Sequence, residues 1–334
     1  MQQYIIRRIL LNFLVLFLVA TMVFAALRVD SDTVVSRRAG ICFSGGGGAD
    51  SEQQIEDCKA IARTELGLNG SIPTQYKDFL FDLAQLDLGY SSVGNKDPII
   101  DEIKERAGPS IELGLLQIFV ALVIALPIGV ISAVKQDSPV DYLLRFISIL
   151  FLGVPVFVLA VMVILLSSRY GEGTFFADWF GPQGSYSSLS DNPFDNLKIM
   201  FAPALLGGLG TGAIIMRFLR SQMLEVLRQD YVRTAWAKGL KERVVVIRHA
   251  LKNALIPVLT IVGILLGSIV SGNVILEFIY RIPGIGQYVV FNIVQTPNFP
   301  AVQGVVIVVA MVLVFVNLII DIAYGWLDPR IRYS

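Results

Sequence analysis

The run "IELGLLQIFVALVIALPIGVISAV", Ile111 to Val134, holds a single charged residue, Glu112, near its beginning. A helix needs about 20 mainly apolar residues to cross the hydrocarbon core of a bilayer. Similar runs occur elsewhere in the chain, at Leu10–Leu27, Phe146–Ser168, Phe201–Phe218, Leu255–Ile275 and Val302–Ala323. The sequence therefore predicts an all-α integral membrane protein with six transmembrane helices.

The composition agrees with one membrane-embedded unit. Of the 334 residues, 54% are hydrophobic and 16% are charged, whereas a typical soluble domain is about 25% charged. The chain has two cysteines and one histidine. Because zinc and iron–sulfur sites usually take about three or four Cys or His ligands, we expect no metal site built from this chain.

The positions of Lys and Arg predict the orientation, since cytoplasmic loops carry an excess of these residues. On one predicted side of the membrane lie Arg7, Arg8, Lys135, Arg145, the basic segment Arg217–Lys252, Arg330 and Arg332. This alternation predicts that both termini are cytoplasmic. Two arginines before an apolar run are also typical of a secretory signal peptide, but we favour a retained signal-anchor helix.

The first two runs are separated by a long segment that this orientation places outside. The predicted organisation is a first transmembrane helix with a cytoplasmic N-terminus (1–27), an extracytoplasmic segment (28–110) and a transmembrane core (111–334). In the outer segment, Cys42 and Cys58 flank the glycine-rich stretch "FSGGGGADSEQQIED". Disulfides persist in oxidising compartments, so we favour a bridge between the two cysteines, with two free thiols as the alternative.

Small residues recur inside the predicted spans. Gly263, Gly267 and Ser271 are spaced four apart, and a stripe of small residues lets helices approach closely. Gly153 and Pro155 interrupt the third span, where neighbouring helices are expected to satisfy the freed backbone groups.

Several function classes lack their expected residues. Ion-coupled transporters usually keep acidic residues in the middle of the membrane, and the predicted spans have none there. The chain also lacks the phosphate-binding pattern G-x-x-x-x-G-K-[ST] and the hydrolase patterns H-E-x-x-H and G-x-S-x-G. The sequence therefore disfavours a secondary transporter and an enzyme, and indicates that energy enters from another protein.

The stretch "DYVRTAWAKGLKERVVVIRHALKNALIPV", Asp230 to Val258, lies between the fourth and fifth spans. Its pattern predicts a short helix, "YVRTAWAKGL", that ends at Gly239, and a second helix that begins at Glu242 and continues to Pro257. Anchoring on anionic lipid would explain the basic charge but not this pattern. A short helix with small surface residues suits a groove on another protein.

"DYVRTAWAKGL" followed by "RHALKNALIPV" resembles the cytoplasmic coupling loop, or EAA loop, of ABC importer permeases. More narrowly, the chain resembles the B-type subunit of the dipeptide/oligopeptide permease family. The resemblance covers nearly the whole chain through "YIIRRILL", "LDLGYSS", "ERAGPSIELGLL", "IYRIPGIGQYVVFNIVQTPNFPAVQG" and "LDPRIRYS".

This resemblance implies a non-enzymatic transport subunit in the cell (inner or plasma) membrane that forms half of a pathway for di- or oligopeptides. The implied partners are a second, C-type permease, two ATP-binding subunits that hold ATP and Mg, an extracytoplasmic binding protein and the lipid membrane, with no nucleic acid. No cofactor is implied in this chain. A permease of the same family for nickel, glutathione or oligosaccharides, or a secondary transporter, remains an alternative.

The resemblance places the coupling loop at about 219–253. The residues implied to contact the ATPase are Tyr231, Arg233, Thr234, Ala235, Trp236, Ala237, Lys238, Gly239 and Leu240. Trp236 is bulky where the motif's name has alanine, and it either enters the partner's groove or packs back on its own chain. The insertion around Ser44–Cys58 is unusual for the family, and no function is assigned to it.

Overall fold

The computed structural model describes residues 2–29, 31–44, 52–91, 97–171, 173–181, 184, 186–269, 273–295 and 298–327. Within these ranges the regular elements are helices, with an isolated β-bridge between Tyr90 and Pro98. The helices are α1 (Gln2–Val29), α2 (Ser31–Ser44), α3 (Glu52–Glu65), α4 (Ile72–Ala84), α5 (Ile99–Val134), α6 (Pro139–Gly153), α7 (Val156–Tyr170), α8 (Phe175–Phe180), α9 (Pro193–Leu227), α10 (Asp230–Ala237), α11 (Glu242–Val244), α12 (Lys252–Ile269), α13 (Val274–Tyr280), α14 (Ile285–Val290) and α15 (Phe299–Leu327), with π-helical turns at Val245–Leu251 and Phe291–Gln295.

Five helices in the described part of the chain are long and apolar enough to cross a membrane. They are Arg7–Ala26, Ile99–Val134, Pro193–Leu227, Glu242–Gly267 and Phe299–Ile319. Two further pairs of shorter helices raise the number to seven if each pair is one span. The predicted all-α membrane architecture is confirmed, whereas the count of six spans and the placement of the loops stay predictions.

The predicted third span, Phe146–Ser168, is a bent pair of helices in the structure, broken where Gly153 and Pro155 interrupt it. Helix α6 ends at Gly153, α7 begins at Val156, and the two are bent by 95°. Val154 is extended, with φ −89° and ψ 121°, because a proline disfavours the helical conformation of the residue before it. Pro127 and Pro203, in contrast, lie inside the continuous helices α5 and α9, so a proline alone does not reveal a break.

The chain packs as two compact units. The first comprises residues 1–108 and 284–334, and the second comprises residues 109–283. In the first unit α1 packs along α15 and α2 packs against α3. The two units are defined by contacts between residues, whereas the predicted boundaries at 27 and 110 separate a membrane helix, an outer segment and a membrane core. Those boundaries therefore stay a prediction.

The core of the second unit is built around α9, which contacts α6 and α12. Met216, Leu219 and Met223 of α9 are fully buried in a cluster with alanines of the neighbouring helices. Glycines of α9 face α5: a Cβ on Gly208 would lie 2.9 Å from the carbonyl oxygen of Gln117, and one on Gly212 would lie 3.3 Å from that of Ala121. These glycines therefore allow close approach of the two backbones.

The helix-packing and disulfide predictions fall partly outside the described residues. In α12, Gly267 is buried and Gly263 is half-buried, while Ser271 lies outside the described residues, so their role in helix packing stays a prediction. Cys58 forms a disulfide, but the side chain of Cys42 lies outside what the structure describes. The pairing of Cys42 with Cys58 therefore also stays a prediction.

Candidate functional site

The short helix α10 is held between the end of one long helix and the beginning of the next. Val232 and Ala235 are buried on its inner face and pack with Val245. Val226 and Leu227, at the end of α9, join the same cluster. Because this cluster has contributions from both flanking helices, α10 is packed against both.

The side of α10 opposite its buried residues carries Arg233, Thr234 and Ala237, and exposed apolar side chains flank that side. Tyr231, Trp236 and Leu240 have exposed fractions of 44%, 42% and 40%, and Arg233 and Lys238 are exposed beside them. Exposed apolar residues rimmed by polar ones mark surfaces for contact with other proteins. The indole of Trp236 lies on this surface and is not part of the protein's own core.

The predicted contact residues divide into two groups in the structure. Ala235 is buried and supports the helix from inside. The others lie on the surface: Tyr231, Arg233, Thr234, Trp236, Ala237, Lys238, Gly239 and Leu240. Their contact with another protein stays a prediction, but their exposure leaves them available for it.

Gly239 ends the short helix in the left-handed conformation. Its φ is 75°, and its amide donates to the carbonyl of Trp236 over 2.9 Å. Glycine is favoured there because it has no Cβ to clash with the backbone. A Cβ at this position would meet nothing within 4 Å, so the requirement for glycine comes from the backbone angle and not from lack of space.

A hydrogen bond joins α10 to the helix that follows. Nδ2 of Asn253 donates to the hydroxyl of Tyr231 over 2.8 Å and to the carbonyl of His249 over 3.0 Å. The predicted second helix does begin at Glu242 and runs past Pro257, but it includes the π-helical turn Val245–Leu251. Such turns are rare and frequently lie at functional sites. Neither the role of Asn253 nor the π-helical turn is indicated by the sequence pattern.

A buried carboxylate, Asp141 of α6, is bound to α9, the helix that leads into α10. Asp141 is 0% exposed and forms two hydrogen bonds with Arg220, from Nε to Oδ1 over 2.9 Å and from Nη2 to Oδ2 over 2.8 Å. Ser132 Oγ and the amide of Asp137 also donate to Asp141. Bidentate Arg–carboxylate pairs are among the stronger protein hydrogen bonds, so the turn between α5 and α6 is fixed to α9.

Sequence patterns do not predict this pair, because its members are 79 positions apart. Arg220 was grouped with the other basic residues of its loop. One local signal was available: "SPVD", Ser138 to Asp141, matches the capping pattern [ST]-x-x-[DE] before an apolar run. In the structure Ser138 does accept a hydrogen bond from the amide of Asp141 at the beginning of α6.

A second buried carboxylate lies in α13. Glu277 is fully buried, and its Oε1 accepts hydrogen bonds from Ser110 Oγ over 2.8 Å and from the amide of Asn273 over 3.1 Å. The predicted fifth span ended at Ile275, two residues before this side chain. The prediction that energy enters from another protein therefore rests on the coupling loop more than on a lack of buried acids.

This arrangement belongs to a known class of membrane transport proteins. Residues 125–333 match the family described as "Binding-protein-dependent transport system inner membrane component", and the chain belongs to that family. The match includes α10 and both helices that hold it.

Individual relatives agree with this assignment. The chain is 38% identical over 295 residues to the dipeptide transport system permease protein DppB of Alkalihalophilus pseudofirmus, covering 84% of this chain and 88% of that protein. It is 34% identical over 336 residues to the oligopeptide transport system permease protein AppB of Bacillus subtilis, covering all of both chains. The corresponding DppB of Escherichia coli K12 is 34% identical over 286 residues, with 81% and 84% covered.

Proposed function

We propose that this chain forms half of the translocation pathway of an ATP-driven importer for di- or oligopeptides, which an extracytoplasmic binding protein delivers. The family membership and the relatives named for dipeptide and oligopeptide transport support the substrate class. The partners are a second, C-type permease, two ATP-binding subunits and the binding protein. ATP and Mg bind in the ATP-binding subunits, so this chain needs no cofactor of its own and catalyses no reaction.

The observation that carries the proposal is the two-faced helix α10. Its exposed side chains, with Tyr231 and Trp236 on the helix and Leu240 just after it, are available to an ATP-binding subunit, and its inner face is packed against α9 and the beginning of the next helix. When ATP closes the ATP-binding subunits, the position of α10 changes, and α9 and α12 change with it. The ATP-bound partner thereby shifts the population between two states of the pathway by binding one state more tightly.

In this proposal both termini are cytoplasmic, so α10 faces the ATP-binding subunits. The concentration of Lys and Arg between positions 217 and 252 supports this orientation. The Asp141–Arg220 pair extends the moving body, because it connects the α5–α6 turn to α9 about two helical turns before α9 ends.

The test is uptake by the complete transporter reconstituted in proteoliposomes. Labelled dipeptide, oligopeptide and Ni²⁺ are each supplied with binding protein, and initial uptake is measured with ATP, with ADP, and with an ion gradient alone. The proposal predicts peptide uptake that requires ATP. Uptake driven by the ion gradient without ATP would contradict it, and uptake of Ni²⁺ without peptide would assign the chain to another substrate of the family.

A further inference from the structure

A half-open cavity of about 400 Å³ lies within the unit formed by residues 1–108 and 284–334. Its wall includes Glu102 and Arg106 of α5, Tyr288 of α14, and Phe291 and Asn292 of the π-helical turn that follows α14. The cavity lies near the beginning of α5, which the proposed orientation places on the extracytoplasmic side. Peptide delivered by a binding protein arrives on that side.

Arg106 presents a guanidinium to this cavity without an ion-pair partner among the described carboxylates. Its Nη1 donates to the carbonyl of Glu102 over 3.2 Å, one turn earlier in the helix. Its Cζ lies 4.4 Å from the centre of the Tyr288 ring, a cation–π contact that fixes the plane of the guanidinium. Since arginine has five N–H donors, most of its donors remain for a ligand.

Tyr288 adds a second donor beside Arg106. The side chain is 6% exposed, and its buried hydroxyl lies near Glu102 without a hydrogen bond of normal geometry to any described residue. Buried hydroxyls in folded proteins nearly always have a partner. The adjacent backbone is well fixed, because Asn292 Nδ2 donates to the Tyr288 carbonyl over 2.8 Å and the Asn292 carbonyl accepts from the amide of Asn298 over 2.9 Å.

We infer that this cavity is a peptide subsite in which the Arg106 guanidinium and the Tyr288 hydroxyl bind the C-terminal carboxylate of the substrate. A guanidinium matches the geometry of a carboxylate in a bidentate contact. Glu102 in the same wall repels ligands that carry only negative charge and suits a zwitterion, whose ammonium or amide N–H groups can donate to it. This inference rests on the proposed function, since it takes a peptide as the substrate.

The test uses the complete transporter in detergent without its binding protein. The affinities of a labelled dipeptide and of the same dipeptide with a C-terminal amide are measured for the wild type, Arg106→Gln, Tyr288→Phe and Lys104→Gln. Lys104→Gln is the matched control, because it removes the same charge from the same helix. The Lys104 side chain is exposed and pairs with Asp101, with Nζ and Oδ1 2.9 Å apart.

The wild type and Lys104→Gln should bind the free acid about tenfold more tightly than the amide, which is the effect of one charge-assisted hydrogen bond. Arg106→Gln should abolish this preference, and Tyr288→Phe, which deletes a single oxygen, should reduce it severalfold. Equal affinity of the wild type for both peptides, no measurable binding, or an unchanged preference in both variants would overturn the subsite. Failure of the proposed function is distinct, since it appears as a loss of ATP-dependent peptide uptake in the wild-type system.

Discussion

Asp141 is a charge that the protein can bury only because its oxygens are surrounded by donors. Arg220 supplies two hydrogen bonds, and Ser132 and the Asp137 amide supply two more. Arg145 Nε lies 3.5 Å from Oδ1 and adds a further positive charge. Removing one partner of a buried ion pair costs more than the pair contributes, because the remaining charge stays buried without compensation.

Arg220→Gln should therefore destabilise the protein by about 3–5 kcal/mol, as the loss of one partner from a buried pair does. Thermal unfolding of the purified complex measures this effect. Arg217→Gln is the control: it removes the same charge from the same helix, three residues earlier, where the side chain is exposed. Equal unfolding temperatures for the two variants would show that the pair has no structural role.

Gly239 is needed for its backbone angle and not for its size. Gly239→Val should impair coupling, because a β-branched residue is strained at a φ of 75° and helix α10 must change its end to relieve the strain. Gly239→Asn should stay near the wild type, since asparagine tolerates the left-handed region. Membrane insertion should be normal in both variants, and ATP-dependent uptake should fall only in the valine variant. Unchanged uptake with valine would count against the coupling role of this turn.

At the scale of elements, the packing of α5 against α9 depends on which glycines face the neighbouring helix. A Cβ on Gly208 would lie 2.8 Å from Val120 Cγ1 and 2.9 Å from the Gln117 carbonyl oxygen, whereas one on Gly210 would meet nothing within 4 Å. The two positions are a matched pair on one helix, two residues apart.

Gly208→Ala should destabilise the complex by about 1–3 kcal/mol through overpacking. Gly210→Ala should be neutral or stabilising by up to about 1 kcal/mol, because alanine is the better helix former. Unfolding temperatures of the two variants in the same detergent give the comparison. The reverse order of stability would mean that α5 and α9 do not pack through Gly208.

The elements that sequence reasoning predicted are those whose signals are local. The apolar runs predicted membrane helices, and Gly239 marked the end of α10, since both depend on neighbouring residues. Gly153 and Pro155 marked the interruption near Val154 but not its 95° bend, because prolines also lie inside the continuous helices α5 and α9. The Asp141–Arg220 pair and the bond from Asn253 to Tyr231 could not be predicted, because partners distant in sequence meet only after the helices pack.

At the scale of the whole molecule, the chain is a multi-pass membrane protein of a transport family. The energy for transport is proposed to enter through the outer face of α10, and the peptide is proposed to enter from the opposite side of the membrane. The contact of α10 with an ATP-binding subunit is the central claim.

Photo-crosslinking from position 236 tests this claim most directly. A p-benzoylphenylalanine is placed at Trp236, and in a separate variant at Phe175, an exposed aromatic residue on the predicted extracytoplasmic side. The complete transporter is then irradiated in the membrane. The account predicts a crosslink from position 236 to an ATP-binding subunit and none from position 175. A crosslink to that subunit from position 175, or products from position 236 that contain only this chain or lipid, would contradict it.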